Sequence, residues 1–282
     1  MRVMLQSVPP SIAAQLLSQQ MLNFVDRAAR QRNSEVWIQC EAITILASLL
    51  FPMAASVMKL RLEKPGEGDD FFVRQHIWAL IGQRMQLYPD EDPGVPLALD
   101  PSPFVRQEMA SATFFSRIPH IHQYWRDSAL TDPDPKVRAS AMTAGMRKRL
   151  EPRQYLDFLK LLPRVLESET DPFVLRAAAW SAVTATKGLL ERTEALSGND
   201  PSQASFTMET IVRKQVLPAL LKIQEQHPST AVRRWACQAC ERIWALLDPE
   251  VRRLITLLQP ELKKIKIGRS KHFPQTLSLI HI

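Results

Sequence analysis

The sequence predicts an all-α chain, and three observations predict it. Glycine is scarce and proline plentiful, with 8 Gly and 21 Pro in 282 residues, or about 3% and 7% against usual shares of ~7% and ~5%. Hairpin turns and phosphate-cradling loops depend on glycine, whereas short helices broken at proline-bearing turns do not. The second observation is a short Asp/Pro segment followed by Val-Arg that recurs along the chain. The third is that the residues after each such segment keep one helical face apolar or small.

The recurrence is plainest where Asp100-Pro101-Ser102-Pro103-Phe104-Val105-Arg106 returns as Asp132-Pro133-Asp134-Pro135-Lys136-Val137-Arg138. Degraded copies end at Gln39, Arg74, Arg176 and Arg233, giving spacings of 35, 32, 32, 38 and 57 residues. With the apolar residue before this position counted as zero, positions four, five and eight read Ala42, Ile43, Leu46; Ile77, Trp78, Ile81; Met109, Ala110, Thr113; Ala141, Met142, Gly145; Ala179, Trp180, Val183; and Ala236, Cys237, Cys240. Such spacing places them on one face of a helix. The preceding Asp, Asn or Thr suits an N-cap, and a proline beside it fits the first helical turn.

Each of these helices is expected to follow another apolar helix, as in 211–226 and 155–167. The predicted order is a single body over 1–268, with repeats near 10–50, 51–88, 89–117, 118–150, 151–190 and 208–247, a terminal helix at 249–267 and a tail at 269–282. Two stretches break the period: the Pro- and acid-rich Tyr88 to Asp100 and the polar Glu194 to Ser205. Insertions of this kind fall in loops.

Helix, Asp/Pro turn, Val-Arg and small-residue helix together resemble the HEAT repeat family, over roughly residues 10 to 260. The likeness is specific around Arg106 and Arg138; Gln39 departs from it, and the Asp-Pro before Arg176 is displaced by one. The resemblance implies a right-handed α-solenoid of about six helix pairs. It also implies a structural ladder of Asp100, Arg106, Asp132, Arg138, Arg176 and Arg233 between neighbouring repeats, because a charge repeated at one register in stacked units follows from the stacking.

On such second helices, positions two, three and six are expected on a concave face. They give the candidate partner-binding residues Gln75, His76, Gln107, Glu108, Ser111, Ser140, Thr143, Ser181, Arg234, Trp235 and Gln238. This small, nearly uncharged set suits a polypeptide better than a phosphate backbone. Trp235 beside Arg234 has the composition of an interface anchor, and packing of Trp235 on Trp244 is the alternative. The expected function is a non-enzymatic scaffold or adaptor. The alternatives, each by resemblance to other HEAT-like proteins, are a nucleic-acid-binding, DNA-glycosylase-like protein and a lyase or chaperone for a pigment-binding protein.

The net charge of +7 does not alter that expectation. Within 251–282, Arg252, Arg253, Lys263, Lys264, Lys266, Arg269 and Lys271 face only Glu261, so the remaining residues are nearly neutral. No catalytic, cofactor or metal site is expected, since no nucleophile-elbow, phosphate-loop or metalloprotease pattern occurs. Cys237-Gln238-Ala239-Cys240 falls at core register, and His120-Ile121-His122 reads as a surface pair in a connection. The uncharged run from Ala42 to Met58 is divided by Pro52 and reads as two packed helices. The amino end lacks a secretion signal and the chain has 3 cysteines, so the expected location is the cytoplasm. The last six residues, Leu277 to Ile282, resemble a translated transposon-end sequencing adapter, which implies that the chain is a fragment whose natural frame continues past about Gln275.

Overall fold

The computed structural model describes residues 19–31, 35–49, 51–63, 71–146, 150–195 and 209–251. Every regular element among them is helical. The chain divides into two compact units, Met1–Ala141 and Met142–Ile282. The terminal helix expected at 249–267, the insertion at 194–205 beyond Ala195 and the carboxyl tail lie outside the described residues, apart from a short helical start at 249–251.

In the first unit α1 spans Gln19–Arg30, α2 Val36–Leu49, α3 Phe51–Glu63, α4 Phe71–Leu87, α5 Pro103–Thr113, α6 Pro119–Thr131 and α7 Pro135–Thr143, the last crossing the unit boundary. Helix α1 buries Leu22, Val25, Ala28 and Ala29 along one stripe. Helix α2 is apolar almost all round because α1, α3 and α4 each pack on it. The run from Ala42 to Met58 is divided between α2, which ends at Leu49, and α3, whose first turn holds Pro52, where the missing amide costs no intrahelical bond. No helix among the described residues is long and apolar enough to cross a membrane. Arg61 of α3 is fully buried and donates from Nε and Nη2 to the Ala29 carbonyl, at 3.3 and 2.9 Å, near the negative end of α1.

The most extensive helix pairing in this unit joins α4 to α5, and it corrects one expectation. No helix of its own precedes α5: Tyr88 to Ser102 carry none. Pro89, Pro93, Pro96 and Pro101 remove backbone donors that a helix there would need. Polar contacts hold this segment, with Arg84 Nη2 to Glu91 Oε2 at 2.6 Å, Arg117 Nη1 to Asp90 Oδ2 at 2.8 Å and the Arg117 amide to the Pro89 carbonyl at 2.8 Å. Gly94 takes φ 66°, and its amide donates to Asp92 Oδ1. Without an intervening helix α4 and α5 approach closely; a Cβ on Gly82 would come within 3.1 Å of the Ala112 Cβ. The core beside them is aromatic, with Phe114 and Trp125 edge to face at 4.8 Å and the Trp125 indole donating to the Ala141 carbonyl at 2.9 Å.

In the second unit a 3₁₀ turn at Ala144–Met146 leads to α8 (Pro152–Ser168), α9 (Pro172–Ala195), α10 (Leu217–Gln226) and α11 (Thr230–Leu247). Helices α8 and α10 lie together in one layer and α9 and α11 in another. Tyr155, Phe158, Leu159, Leu162, Val165 and Leu166 form the buried stripe of α8. Gly145 lies under Phe158, whose ring carbons sit 2.7 Å from where a Cβ would be. A single π-turn, Val212–Val216, opens α10. Pro218 causes it: lacking an amide, it cannot bond the carbonyl four residues back, and the Leu217 amide reaches instead to Val212.

Candidate interaction surface

The arginine of the repeated turn is held by the carbonyls of its own turn at three positions and by the aspartate of the next turn at two. Arg106 Nη1 donates to the carbonyls of Asp100 and Pro101 at 3.0 and 3.2 Å. Arg138 repeats this on Asp132 and Pro133 at 2.8 and 3.4 Å, and Arg233 on His227 and Pro228 at 2.8 and 3.3 Å. The remaining guanidinium edge reaches forward. Arg74 Nε meets Asp100 Oδ2 at 2.7 Å, and Arg106 Nε meets Asp132 Oδ2 at 2.9 Å, each paired a second time through Nη2 at 3.1 Å. All four side chains are buried. The aspartates also accept a local amide, Ser102 to Asp100 and Asp134 to Asp132, at 2.8 and 2.9 Å. The hydrogen bond to Asp132 raises the Arg106 pKa above its ordinary value. Tyr124, packed nearby, is pushed up to about 12, first by burial and then by the Asp132 charge.

Arg176 departs from this pattern. It is exposed, and its guanidinium lies over the Trp235 ring at 5.3 Å. Trp235 thus stacks on α9 through an arginine and not on Trp244, which pairs with Arg213 at 5.3 Å. A third pair sets Arg242 over Trp180 at 4.4 Å. Burial lowers the Arg242 pKa.

The expected partner-binding positions divide into surface and interior. Gln75, His76, Gln107, Glu108 and Ser140 are half-buried in the first unit, and Thr143 is exposed. Several of them tie neighbouring second helices together: Thr44 Oγ1 lies 2.7 Å from His76 Nε2, and Ser140 Oγ donates to the Gln107 carbonyl at 3.2 Å. Ser111 and Ser181, expected on an accessible face, are instead buried at 7% and 0% exposure. In both cases a neighbouring helix covers position six: the Ser111 hydroxyl lies 3.4 Å from that of Ser140, and α9 is flanked by α8 and α11. In the second unit Arg234 is exposed while Trp235 and Gln238 are half-buried.

One register position carried no expectation and is aromatic and exposed in three copies. Two residues before the arginine position stand Trp37, Phe72 and Phe104, with Phe173 one residue further back in its own copy, and all four are solvent-exposed. In the first unit Phe71 links two of these rings, stacking on Phe72 at 4.2 Å and on Phe104 at 5.5 Å. Trp37, Phe72 and Phe104 repeat the 35- and 32-residue spacing of the Gln39, Arg74 and Arg106 positions, so the signal lay in the same frame, and Phe173 falls one residue short of it.

The remaining candidates fall into place locally. His120 and His122 lie on α6, not in a connection: His120 is exposed, 4.0 Å from Asp92, while His122 stacks with Trp125 at 5.0 Å and Phe114 at 6.2 Å. Cys240 is buried, and burial pushes its thiol up to about 12. Cys237 is only half-buried, where core register predicted full burial; burial again raises its pKa, and its thiol donates to Glu241 Oε1 at 3.6 Å. Comparison with protein-family models, curated proteins and solved structures finds no match to this chain.

Proposed function

We propose that each unit is a stack of HEAT-like helix pairs of the α-solenoid kind, and that the chain is a non-enzymatic scaffold or adaptor that binds a protein partner through its second helices. The observation that carries this reading is the recurrence of one contact set. The turn arginine binds the two carbonyls of its own turn at Arg106, Arg138 and Arg233, and reaches the aspartate 26 residues ahead from Arg74 and Arg106. Contacts repeated at one register are what stacked units of a single design make. Second-helix side chains are then held on a rigid support, so that binding orders little of the protein.

The same geometry argues against reading the arginine stripe as a set of phosphate contacts. Arg74 and Arg106 are buried against carboxylates, leaving little edge for a nucleic-acid backbone. The Arg–Trp pairs of the second unit are the observation that keeps the nucleic-acid reading as the alternative.

Affinity capture with the whole chain, in parallel with the Arg234→Ala and Trp235→Ala variants, tests the proposal. A protein recovered by the wild type and lost by both variants, with binding insensitive to nuclease, is the expected result. Recovery that depends on nucleic acid, or a complex that neither substitution weakens, overturns it.

A further inference from the structure

Helices α9 and α11 share two reciprocal arginine–tryptophan pairs. Arg176 of α9 lies over Trp235 of α11, and Arg242 of α11 lies over Trp180 of α9. Each helix therefore supplies one cation and one indole. Residues 176 and 180 are one turn apart, and 235 and 242 two turns, so each helix gives its pair from a single face. Arg234 stands exposed beside Trp235, and half-buried Thr184 and Gln238 lie at the same helical spacing.

The charge on this strip is unbalanced. Arg176 occupies the register position at which Arg74 and Arg106 find Asp100 and Asp132, yet neither it nor Arg234 has a carboxylate partner among the described residues. Glu241 is the acid next to the strip; it accepts from Cys237 and its charge acts on Arg242, which leaves Arg176 and Arg234. An exposed guanidinium presents paired N–H donors that suit bidentate capture of a carboxylate, and Arg176 and Arg234 are exposed.

We propose that the Arg176–Trp235 and Trp180–Arg242 strip, with Arg234, is the docking site for an acidic segment of a partner protein, whose carboxylates meet the exposed Arg176 and Arg234 while its apolar side chains lie beside the half-buried indoles. The proposal rests on the partner-binding function above and names the chemistry of the partner. The charge of the strip also suits a single-stranded nucleic acid, but base stacking needs an open indole face. Both indoles are half-buried and already carry a guanidinium on one side.

Fluorescence anisotropy with the full chain tests it, using a labelled peptide of Glu, Asp and Leu, its counterpart with Lys in place of each acid, an uncharged Ser/Leu peptide, and oligothymidylate. The acidic peptide is expected to bind, to weaken as salt is raised, and to lose about tenfold or more in affinity in the Arg176→Glu/Arg234→Glu variant. Thermal unfolding followed by circular dichroism checks that this surface variant stays folded. A Trp180→Phe/Trp235→Phe variant, which keeps a ring under each guanidinium, is expected to weaken binding less than the charge reversal. Equal binding by the charge-reversed variant, or binding of the uncharged or basic peptide in place of the acidic one, overturns the acidic-segment proposal and leaves the partner-binding function standing. Binding of oligothymidylate with none of the peptides overturns both.

Discussion

Asp132→Asn is the sharpest perturbation of the repeated contact set. The amide is isosteric and its oxygen can still accept from the Asp134 amide and Arg106 Nη2, while its nitrogen replaces the oxygen that accepts from Arg106 Nε, so the substitution removes the charge facing Arg106 and one of its two bonds there. Breaking a buried pair by removing one partner costs about 3–5 kcal/mol, because the other charge is left buried without compensation. Arg106 retains its two bonds to the Asp100 and Pro101 carbonyls, which places the loss at the lower end, about 3 kcal/mol. For a chain of this size that corresponds to a fall in Tm of about 6–12 °C. Arg106→Met forfeits the carbonyl bonds as well and is expected to cost about 4–5 kcal/mol. The double variant Arg106→Met/Asp132→Asn is expected to fall short of the sum of the singles by about 2 kcal/mol or more, since each single variant strands the partner of the other. Urea unfolding followed by circular dichroism and by tryptophan fluorescence, with Trp78 and Trp125 buried in the same unit, reads all three. The Arg106 pKa is raised above its ordinary value, so its contribution is fully present below that ordinary value and lost only as pH rises through the folded one. The difference between wild type and Asp132→Asn is therefore expected to stay level from neutral pH to about pH 10. A loss for Asp132→Asn below about 0.5 kcal/mol, or strict additivity in the double variant, refutes the reasoning.

Other outcomes follow from the core. The Cys240 thiol is raised from 9.0 to about 12 in the folded chain, so between those values the unfolded state binds fewer protons and stability falls as pH rises. The contribution of Cys240 to the slope is expected to reach up to about 1.4 kcal/mol per pH unit, so the slope is shallower in Cys240→Ala while Tyr124 and Cys237 keep its sign, and Cys240 should stay unmodified by Ellman's reagent at pH 8 until the chain is denatured. Gly145→Ala drives a methyl into the buried Phe158 ring and is expected to cost about 1–3 kcal/mol in urea unfolding; a neutral result would show that the ring gives way freely. Trp125→Phe removes the indole donor to the Ala141 carbonyl at a buried position, with an expected loss of about 1–3 kcal/mol, and a stabilised variant would contradict that account.

Much of the fold was legible because it is written in punctuation. Pro103, Pro135 and Pro172 each start a helix in the structure, and the positions four, five and eight after the turn valine are apolar or small because neighbouring helices pack there. The helix expected ahead of α5 was not legible from periodicity, since apolar Val95, Leu97 and Leu99 sit among prolines that forbid it. The candidate surface was legible only in part. Position six looks polar in Ser111 and Ser181, but a serine is small enough to lie beneath an adjoining helix, and the separation of helices is not encoded in spacing within one of them. Arg176 shares its register with Arg74 and Arg106; its different role arises because no aspartate meets it and Trp235 does, a relation between residues 59 apart in sequence.

The turn arginines make this set of contacts directional. Asp100 and Asp132 keep a local amide donor whatever lies before them, whereas Arg74 and Arg106 look ahead for their carboxylates. Removing sequence from the amino side of such a repeat leaves an aspartate that is still solvated by its own turn, while cutting on the carboxyl side strands a cation in the interior. Shortened or shuffled versions of this chain therefore tolerate a new beginning better than a new end, and a transplanted repeat needs an aspartate-bearing successor more than it needs its native predecessor.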